Sequence, residues 1–305
     1  MQTNNLRPIS VVMATYNGAK YLEEQIESIL SQSLLPAEII VCDDCSNDRT
    51  LNILENYQHR GLLKYYVNEK RLGVVDNFIK AIGFAQQDNY IALSDQDDIW
   101  MPNKLEIQAL ALSGLEQSQV NQGSPCIIYS DLILVDSEKN TLNISFWNEL
   151  NHDVHEHCLH TLLFGNFVTG CTVMFNSATK KYLSQVPNHI LHDVWLAFIG
   201  NTFGKIISVK TPLVYYRQHN ENVNYQVGNR KKTKWQERFK RLKKIFTNKA
   251  YLEAEYEIAG QFLTQYKSEI NASQQKIINR FLETKNGSYL RKEIALKSFF
   301  RGRWK

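Results

Sequence analysis

The sequence predicts an α/β fold in which a mostly parallel sheet is covered by helices. Apolar, β-rich runs alternate with segments of helical periodicity through the first half of the chain, in the order β-α-β-α-β-α-β. This order favours a parallel sheet, because each crossover helix returns the chain to the same end of the sheet. The run Ile9–Ala14 is continuously β-rich, which is typical of a strand buried on both faces.

The first helix illustrates how the elements are delimited. Asn17 and Gly18 end the first strand, apolar side chains then recur near a 3.6-residue period over 19–32, and Pro36 stops the helix. The same reasoning places the other elements of the first half. Strands are predicted at Ile9–Ala14, Glu38–Cys42, Leu63–Val67 and Tyr90–Leu93, and further helices at Thr50–Tyr57 and Val74–Ala85.

The pattern becomes less regular after residue 100. Pro102 suits the first turn of a helix that runs to about residue 117. Strands are predicted at Cys126–Val135, Thr172–Phe175 and Lys205–Tyr216, and helices at 158–164 and 190–200. From about residue 230 onward the pattern is helical, so a helical C-terminal extension is expected.

Length and composition indicate a globular protein. The 305 residues suffice for one large domain or a domain with an appendage, and the composition is 43% hydrophobic and 22% charged. No run approaches the ~18 apolar residues of a membrane span, and the N-terminus does not have the pattern of a secretory signal. The odd number of cysteines, five, suggests a reducing compartment. Cys42 and Cys45 form a C-x-x-C pair, interpreted as coincidental because no partner pair accompanies it.

The most informative stretch follows the fourth strand. Asp95, Asp97 and Asp98 crowd three carboxylates into four residues, and their mutual repulsion is costly unless a cation offsets it. Mg²⁺ and Mn²⁺ prefer such oxygen ligands together with substrate phosphates. The position is also suggestive, since ligands of open α/β sheets bind beyond the carboxyl ends of strands. The alternative is an acidic turn in which Asp98 caps a following helix.

Polar groups at other strand ends could join the same site. Thr15 and Tyr16 end the first strand, Asp43 and Asp44 end the second, and the loop after the third contains Arg71, which could pair with a phosphate. His192 and Asp193 open a predicted helix, where an acid is commonly a partner of the helix dipole. Neither a G-x-x-x-x-G-K-[ST] phosphate loop nor G-x-G-x-x-G occurs, so phosphates would depend on the metal.

Seven segments in order resemble the inverting family 2 glycosyltransferases, most closely the bacterial surface-polysaccharide branch called rhamnosyltransferase-like. They are VVMATYNGAKYLEEQIESILSQ, IIVCDDCSNDRT, NEKRLGVVDNFIKAI, IALSDQDDIWMPNKLE, FVTGCTVMFN, LHDVWLA and YYRQHNENV, and they span about residues 8–225. The resemblance implies the GT-A fold, a Rossmann-like mixed sheet flanked by helices. It also implies a catalytic domain over 1–225 and a basic helical C-terminal extension over 226–305.

The resemblance assigns roles to individual residues on the donor side. Thr15, Tyr16 and Asp44 match positions that line the base and ribose of the nucleotide, with Asp43 beside them. Asp95 and Asp97 match the D-x-D signature. Asp97 would ligate Mn²⁺ or Mg²⁺, and Asp95 would contact ribose or metal-bound water.

It likewise assigns residues around the leaving group and the acceptor. Asp193 falls where the family keeps the catalytic base, although His192 replaces the acid that usually precedes it. His219 matches a histidine that approaches the metal or diphosphate. Gly170 and Cys171 sit where the family builds its acceptor wall, and Trp195 is expected on the same side.

The chemistry agrees with these roles. An inverting transfer is one in-line displacement at the anomeric carbon, which needs a base for the acceptor hydroxyl and a cation for the leaving diphosphate. Asp193 would supply the first, and a metal on Asp97 the second. A retaining mechanism has no candidate nucleophile.

Two clusters permit other interpretations. Residues 152–160 contain four histidines, a cysteine and two acids that could hold zinc, although an acceptor-side loop is the favoured interpretation.

Residues 230–249 carry ten basic residues and one acid, net +9, which leaves about −5 on the rest of the chain. On a helix, Trp235, Phe239, Leu242 and Phe246 form one apolar stripe, which suits an anionic membrane surface or packing on the catalytic domain.

The sequence therefore predicts transfer of a sugar from a nucleotide-diphosphate donor, a UDP- or dTDP-sugar, to a polyprenyl-diphosphate-linked glycan. The expected pathway is synthesis of O-antigen, capsule or another surface polysaccharide. The expected location is cytoplasmic, peripheral on the inner face of the cytoplasmic membrane. A sugar-1-phosphate nucleotidyltransferase is one alternative, although it would need a Gly- and Lys-rich phosphate loop. A nucleic-acid binder built on 230–249 is another, disfavoured by the clustered acids, so no nucleic acid is expected as a partner.

Overall fold

The computed structural model describes residues 6–119, 123–150, 158–219 and 252–287, together with 292 and 294. The chain divides into two compact units, which are described separately. The first consists of Met1–Val154 and Val168–His219, and the second of His155–Phe167 and Asn220–Lys305. The predicted domain boundary at 225/226 and the basic block at 230–249 lie outside the described residues, so both stay predictions.

The strands of the first unit form one mixed sheet. They are β1 (Ile9–Thr15), β2 (Glu38–Asp43), β3 (Lys64–Val67), β4 (Tyr90–Ser94), β5 (Ile99–Trp100), β6 (Cys126–Val135), β7 (Thr141–Asn143), β8 (Met174–Phe175) and β9 (Lys205–Arg217). Their order is β3-β2-β1-β4-β8-β6-β9-β5, with β7 paired to β6. Strands β1 to β4 are parallel to their neighbours within this group, and β6 is parallel to β9. Strand β8 is antiparallel to both β4 and β6.

Helices connect and flank these strands. In the first unit they are α1 (Leu22–Leu30), α2 (Thr50–His59), α3 (Val74–Phe84), α4 (Lys104–Gln117), α5 (Phe146–Leu150) and α7 (His192–Phe203), with 3₁₀ turns at Gly170–Thr172 and Ser177–Tyr182. The second unit contains α6 (Leu159–Leu162), α8 (Glu253–Gln265) and α9 (Ala272–Glu283). Among the described helices, none has both the length and the apolar character needed to cross a lipid bilayer.

The predicted α/β fold, with a mostly parallel mixed sheet, is confirmed. The core strands β1, β2 and β4 are buried along nearly their whole length, which explains why their sequences are almost continuously apolar. Strand β1 lies between β2 and β4, so the crossover direction reverses between β1 and β4. Ligands of open α/β sheets bind at such a switch point, beyond the carboxyl ends of the strands.

Several local predictions differ from the structure. Helix α4 begins at Lys104 rather than in a turn that contains Pro102, with Asn103 at its N-cap. Residues Gly170–Thr172 form a 3₁₀ turn, in which the Val173 amide donates to the Gly170 carbonyl, so strand β8 is shorter than predicted. Strands β5 and β7 and helix α5 were not predicted. They are two, three and five residues long, too short for a periodic pattern.

Candidate functional site

The acidic motif forms a loop directly beyond the carboxyl end of β4, and we call residues 95–98 the acid loop. The side chain of Gln96 turns toward the loop after β1. Its Oε1 accepts the Tyr16 amide at 2.9 Å, and its Nε2 donates to the Tyr16 carbonyl at 3.1 Å. Two hydrogen bonds therefore connect the acid loop, which follows β4, to the loop that follows β1. The switch point lies between these two strands.

Arg217 holds the acid loop from β9. Its guanidinium is almost fully buried, at 2% exposure, and Nε donates to the Asp97 carbonyl at 2.9 Å. The backbone amide of Arg217 donates to the Asp98 carboxylate at 3.2 Å. Nη1 donates to the Ser137 carbonyl, Nη2 pairs with Glu24, and the group lies 4.5 Å from the Tyr21 ring. The planar guanidinium spreads five N–H donors over a rigid fork, so it can reach acceptors on separate segments, whereas the three donors of a lysine share one nitrogen.

The Asp97 carboxylate meets His219, two residues beyond Arg217. His219 Nε2 lies 2.7 Å from Asp97 Oδ2, and both side chains are largely buried. The end of β9 thus contacts both the backbone and the carboxylate of Asp97. The expectation that Asp97 and His219 belong to one site agrees with this geometry, whereas their roles toward a metal stay a prediction.

The acids of the loop repel one another and a more distant acid. Desolvation of Asp95, followed by the charges of Asp97 and Asp193, raises the pKa of Asp95 to about 7. Asp98 is completely buried, and its desolvation together with the charges of Asp97 and Asp95 raises its pKa well above the usual range. Asp98 lies five residues upstream of the Asn103 N-cap, so it does not cap helix α4.

Asp98 belongs to a compact group of possible metal ligands. Ligand atoms of Asp95, Asp98 and Cys171 all lie within 4.8 Å of one another, and Oδ2 of Asp98 is buried without a hydrogen-bond partner. Desolvation, and next the charge of Asp98, raises the pKa of the Cys171 thiol well above its usual range. Lys104 is also fully buried, with Nζ 3.6 Å from the centre of the Trp100 ring, and burial lowers its pKa to about 7.

Asp193 lies in the first turn of α7, where its carboxylate faces backbone amides. Its side chain is 7% exposed and accepts the Val194 amide at 2.6 Å. Burial raises the pKa of Asp193 to about 6, although hydrogen bonds from the backbone amides of Val194 and Gly170 act in the opposite direction. A carboxyl group with this pKa can exchange a proton near neutral pH.

His192 supports this helix start as a neutral, packed side chain. Its ring lies 4.4 Å from that of Phe78, and burial lowers its pKa to about 4. A Cβ added to Gly170 would lie 2.9 Å from His192 Nε2, so the absence of a side chain at Gly170 allows this close approach. His192 is therefore neutral at pH 7, at the position where the family resemblance leads one to expect an acid.

Asp43 and Asp44 are buried at the end of β2, and both carboxylates are already occupied by hydrogen bonds. Asp43 accepts from the hydroxyl of Thr15 at 3.0 Å and from the amide and hydroxyl of Ser46. Each of these acids accepts three hydrogen bonds of the roughly four that a carboxylate can accept.

Asp44 fixes the loop that carries Arg71. Its carboxylate accepts the backbone amides of Leu72 and Gly73 and the side-chain amide of Asn68. Gly73 has a φ of +88°, a conformation that favours glycine and directs its amide to Asp44. The exposed guanidinium of Arg71 then lies 3.8 Å from the centre of the Tyr16 ring.

The structure brings most predicted site residues to one edge of the sheet. Thr15, Tyr16, Asp43, Asp44 and Arg71 lie at and after the ends of β1, β2 and β3. Asp95 lies near the charges of Asp97 and Asp193, and His219 contacts Asp97. Of the residues expected on the acceptor side, Gly170 lies against His192 and Trp195 is fully buried, whereas the buried Cys171 lies against Asp95 and Asp98 of the acid loop. Of the histidine-rich stretch, 152–157 lies outside the described residues.

Sequence reasoning missed two residues of this site, Gln96 and Arg217. Arg217 follows the apolar run Leu213–Tyr216 at the end of β9, and a charged residue there is a weak signal of a buried ion pair. Gln96 gives no signal, because a glutamine between two acids is expected to be solvated. Both act through backbone contacts, which periodicity does not reveal.

We expect Arg217→Met to destabilise the fold. The change removes the donor from the part-buried carbonyls of Asp97 and Ser137, and each carbonyl left unsatisfied costs up to about 1–3 kcal/mol. Urea denaturation of wild type and variant measures the difference. Lys139→Met is the control, because Lys139 pairs with the same Glu24 at the surface and should cost less than about 1 kcal/mol. Equal small losses in both variants would contradict this assignment.

Comparisons with known proteins agree with this architecture. The sequence is 29% identical over 231 residues to the dTDP-rhamnosyl transferase RfbG of Shigella flexneri, covering 71% of this chain and 73% of that protein. It is 38% identical over 114 residues to the putative glycosyltransferase EpsE of Bacillus subtilis, covering 37% of this chain and 41% of that one. The fold is similar to that of S. aureus TarS 1-349 in complex with UDP-GlcNAc, with a TM-score of 0.56 at 17% identity over 97% of this chain and 92% of that chain.

The fold and the family expectation are thereby confirmed. The structural likeness shows that the first unit has a GT-A fold, as the sequence segments implied. The family description Glycosyl transferase family 2 matches residues 10–183, which run from the second residue of β1 past the end of β8 and include the acid loop. Because this match covers more than half of the sequence, the chain belongs to glycosyl transferase family 2 and is a glycosyltransferase.

Proposed function

We propose that this chain transfers one sugar from a nucleotide-diphosphate donor to a lipid-linked oligosaccharide, with inversion at the anomeric carbon and with a divalent cation. The observation that carries the proposal is the convergence of the acid loop with Asp193. Asp95 and Asp97 lie beyond β4, and Asp193 lies close enough for its charge to raise the pKa of Asp95. The acids proposed to bind a cation and the proposed base therefore lie near one another.

The donor side is supported by position and by similar proteins. Thr15, Tyr16, Asp43, Asp44 and Arg71 surround the switch point where nucleotides bind in such sheets. The relative from Shigella is described as a dTDP-rhamnosyl transferase, and the S. aureus structures contain UDP or UDP-GlcNAc. We therefore propose a UDP- or dTDP-sugar, with Arg71 available to stack on a base or pair with a phosphate.

The residues present fit Mg²⁺ or Mn²⁺. The site is rich in hard oxygen ligands, and Asp98 Oδ2 is a buried oxygen without a hydrogen-bond partner. Desolvation, and next the charges of neighbouring carboxylates, raises the pKa values of Asp95 and Asp98, and a cation would offset both costs. Asp97, Asp95 and His219 are the residues proposed to hold the ion. When bound, it would offset the negative charge that develops on the leaving diphosphate.

Asp193 is proposed to act on the acceptor. In the displacement, the acceptor oxygen forms a bond to the anomeric carbon, the bond to the nucleotide diphosphate breaks, and Asp193 accepts the proton of the acceptor hydroxyl. The amides of Val194 and Gly170 hold the carboxylate in place. Gly170 lies beside it, and the buried Cys171 and Trp195 are proposed to support the acceptor side.

The acceptor and the location extend the proposal further. A relative from Bacillus subtilis, 38% identical over 108 residues, is described as a putative teichuronic acid biosynthesis glycosyltransferase. We propose a polyprenyl-diphosphate-linked glycan of a surface polysaccharide such as O-antigen or capsule. The enzyme would act peripherally on the inner face of the cytoplasmic membrane, where residues 230–249 would meet anionic lipid.

The stereochemistry of the product tests the proposed mechanism. A single displacement with Asp193 as base should convert an α-linked donor into a β-linked product, and a β-linked donor into an α-linked one. Screening UDP-, dTDP- and GDP-sugars first identifies the donor, and NMR of the anomeric protons of donor and product then compares their configurations. Retention of configuration would contradict the inverting mechanism.

The rate should also depend on pH through Asp193. Its pKa of about 6 means that the carboxylate is available as a base above that value and is protonated below it. We therefore expect kcat/KM to rise from pH 5 to a plateau above about pH 7 at constant saturating Mn²⁺. The residual activity of Asp193→Asn should lack this rise. A flat profile for the wild-type enzyme would argue against Asp193 as the base.

A further inference from the structure

The residue between the two acids of the D-x-D motif has a specific structural environment. Gln96 is partly exposed, yet both ends of its side-chain amide bond to the backbone of one residue, Tyr16. This double contact resembles one rung of a sheet ladder, formed by a side chain. Tyr16 follows β1, so the contact bridges the switch point of the sheet.

Gly18 leaves the space that this contact needs. A Cβ on Gly18 would lie 2.3 Å from Gln96 Oε1 and 2.7 Å from Cδ, well inside the contact distance of such atoms. The backbone of Gly18 does not need a positive φ, so alanine is compatible with its conformation. Alanine at this position would therefore act mainly by pushing the Gln96 amide away from Tyr16.

The two hydrogen bonds of Gln96 also restrict the orientation of the acids on either side of it. Asp95 and Asp97 flank it directly, and Arg217 holds the Asp97 carbonyl from β9 at 2.9 Å. Strands β1 and β9 stand on either side of β4 in the sheet, so the acid loop is held from both directions. With Arg217 in place, loss of the Gln96 contact should loosen the loop on one side without unfolding it.

We infer that Gln96 is a positioning residue that sets the acid loop for cation binding through its double hydrogen bond to Tyr16, and that Gly18 is its structural counterpart. This inference rests on the proposed function, because it assumes that the acid loop binds the cation. Residues that orient metal ligands without touching the metal typically change its affinity by about 10–100-fold when they are replaced.

The test compares Gln96→Met, Gly18→Ala and the double variant. Methionine keeps the approximate length and volume of glutamine but can neither accept from the Tyr16 amide nor donate to its carbonyl. Mn²⁺ binding is measured from the loss of the free Mn²⁺ signal in electron paramagnetic resonance, in the presence of saturating UDP or, in parallel, dTDP. The readout is independent of sugar transfer.

Each single variant should raise the apparent Kd for Mn²⁺ by about tenfold or more. The double variant should raise it no further than the larger single effect, because both changes remove the same contact. Matched controls are Gln117→Met on the exposed face of α4 and Gly114→Ala, where an added Cβ meets no atom within 4 Å. Both controls should bind Mn²⁺ as the wild type does, and thermal melting should show that all variants remain folded.

The outcomes distinguish a failure of the positioning role of Gln96 from a failure of the proposed metal site. If wild-type protein does not bind Mn²⁺ with either nucleotide, the metal assignment of the proposed function fails, and the inference fails with it. If the wild type binds Mn²⁺ but Gln96→Met and Gly18→Ala bind it equally well, only the positioning role is overturned. Additive losses in the double variant would also overturn it, since Gly18 would then act independently of Gln96.

Discussion

Asp193→Asn should lower the turnover of sugar transfer by about 10²–10⁴-fold, the usual contribution of a general base. Asparagine keeps the shape of the side chain and can occupy the start of α7, but it cannot take a proton from the acceptor hydroxyl. The loss should appear in kcat, measured with saturating donor and acceptor. The melting temperature should change little, because the carboxylate is stabilised mainly by nearby amides rather than by an ion pair.

Donor binding provides the internal control for this variant. Asp193 is assigned to the acceptor, so the affinity of Asp193→Asn for UDP or dTDP should match that of the wild type in isothermal titration. His192→Asn is a second control at the adjacent position. His192 is neutral, packs on Phe78 and has no part in the proposed proton transfer. Normal turnover by Asp193→Asn would mean that another residue is the base, with Glu156 the next acid to test.

Removal of divalent cations with EDTA should abolish transfer, and Mn²⁺ or Mg²⁺ should restore it. The physical reason is the crowding of Asp95, Asp97 and Asp98, whose mutual repulsion favours binding of a cation. Asp97→Asn should therefore weaken binding of UDP or dTDP only when metal is present. Isothermal titration with and without Mn²⁺ measures both states.

The matched control for Asp97 is an acid that lies outside the acid loop. Asp136→Asn alters a carboxylate that caps its own turn through Glu138 and Asn140, so nucleotide binding should remain as in the wild type. Full transfer activity in EDTA would contradict the metal assignment. A loss of nucleotide affinity in Asp97→Asn that is equal with and without metal would instead show that Asp97 contacts the nucleotide directly.

The sequence predicted the first half of the fold closely because its strands are buried on both faces. Strand β2 was expected at Glu38–Cys42 and spans Glu38–Asp43, and β6 has the predicted bounds Cys126–Val135. Burial on both faces leaves a continuous apolar run that polar turns delimit. The two-residue strand β5 was missed because Ile99 and Trp100 immediately follow the acids, and their pairing with β9 depends on residues more than a hundred positions away.

The site was predictable only where strand ends or the family resemblance marked it. Asp95 and Asp97 follow a buried strand, so their place at the sheet edge could be inferred from topology. Asp193 gave no such signal, since an acid in the first turn of a helix is common, and only the family resemblance related it to the acid loop. The Arg217 and Gln96 contacts span 120 and 80 residues of sequence, distances over which local patterns carry no information.

The chain crosses between its two compact units three times, at 154/155, 167/168 and 219/220. Within the second unit, helix α6 packs on α9, and the rings of Phe164 and Phe281 meet edge to face with centroids 5.1 Å apart. During synthesis, α6 leaves the ribosome more than a hundred residues before α9. At about 5–20 residues per second, this early segment waits several seconds or longer for its partner. A fragment cut near residue 225 would retain α6 without α9, so its apolar side chains would lack the surface on which they pack.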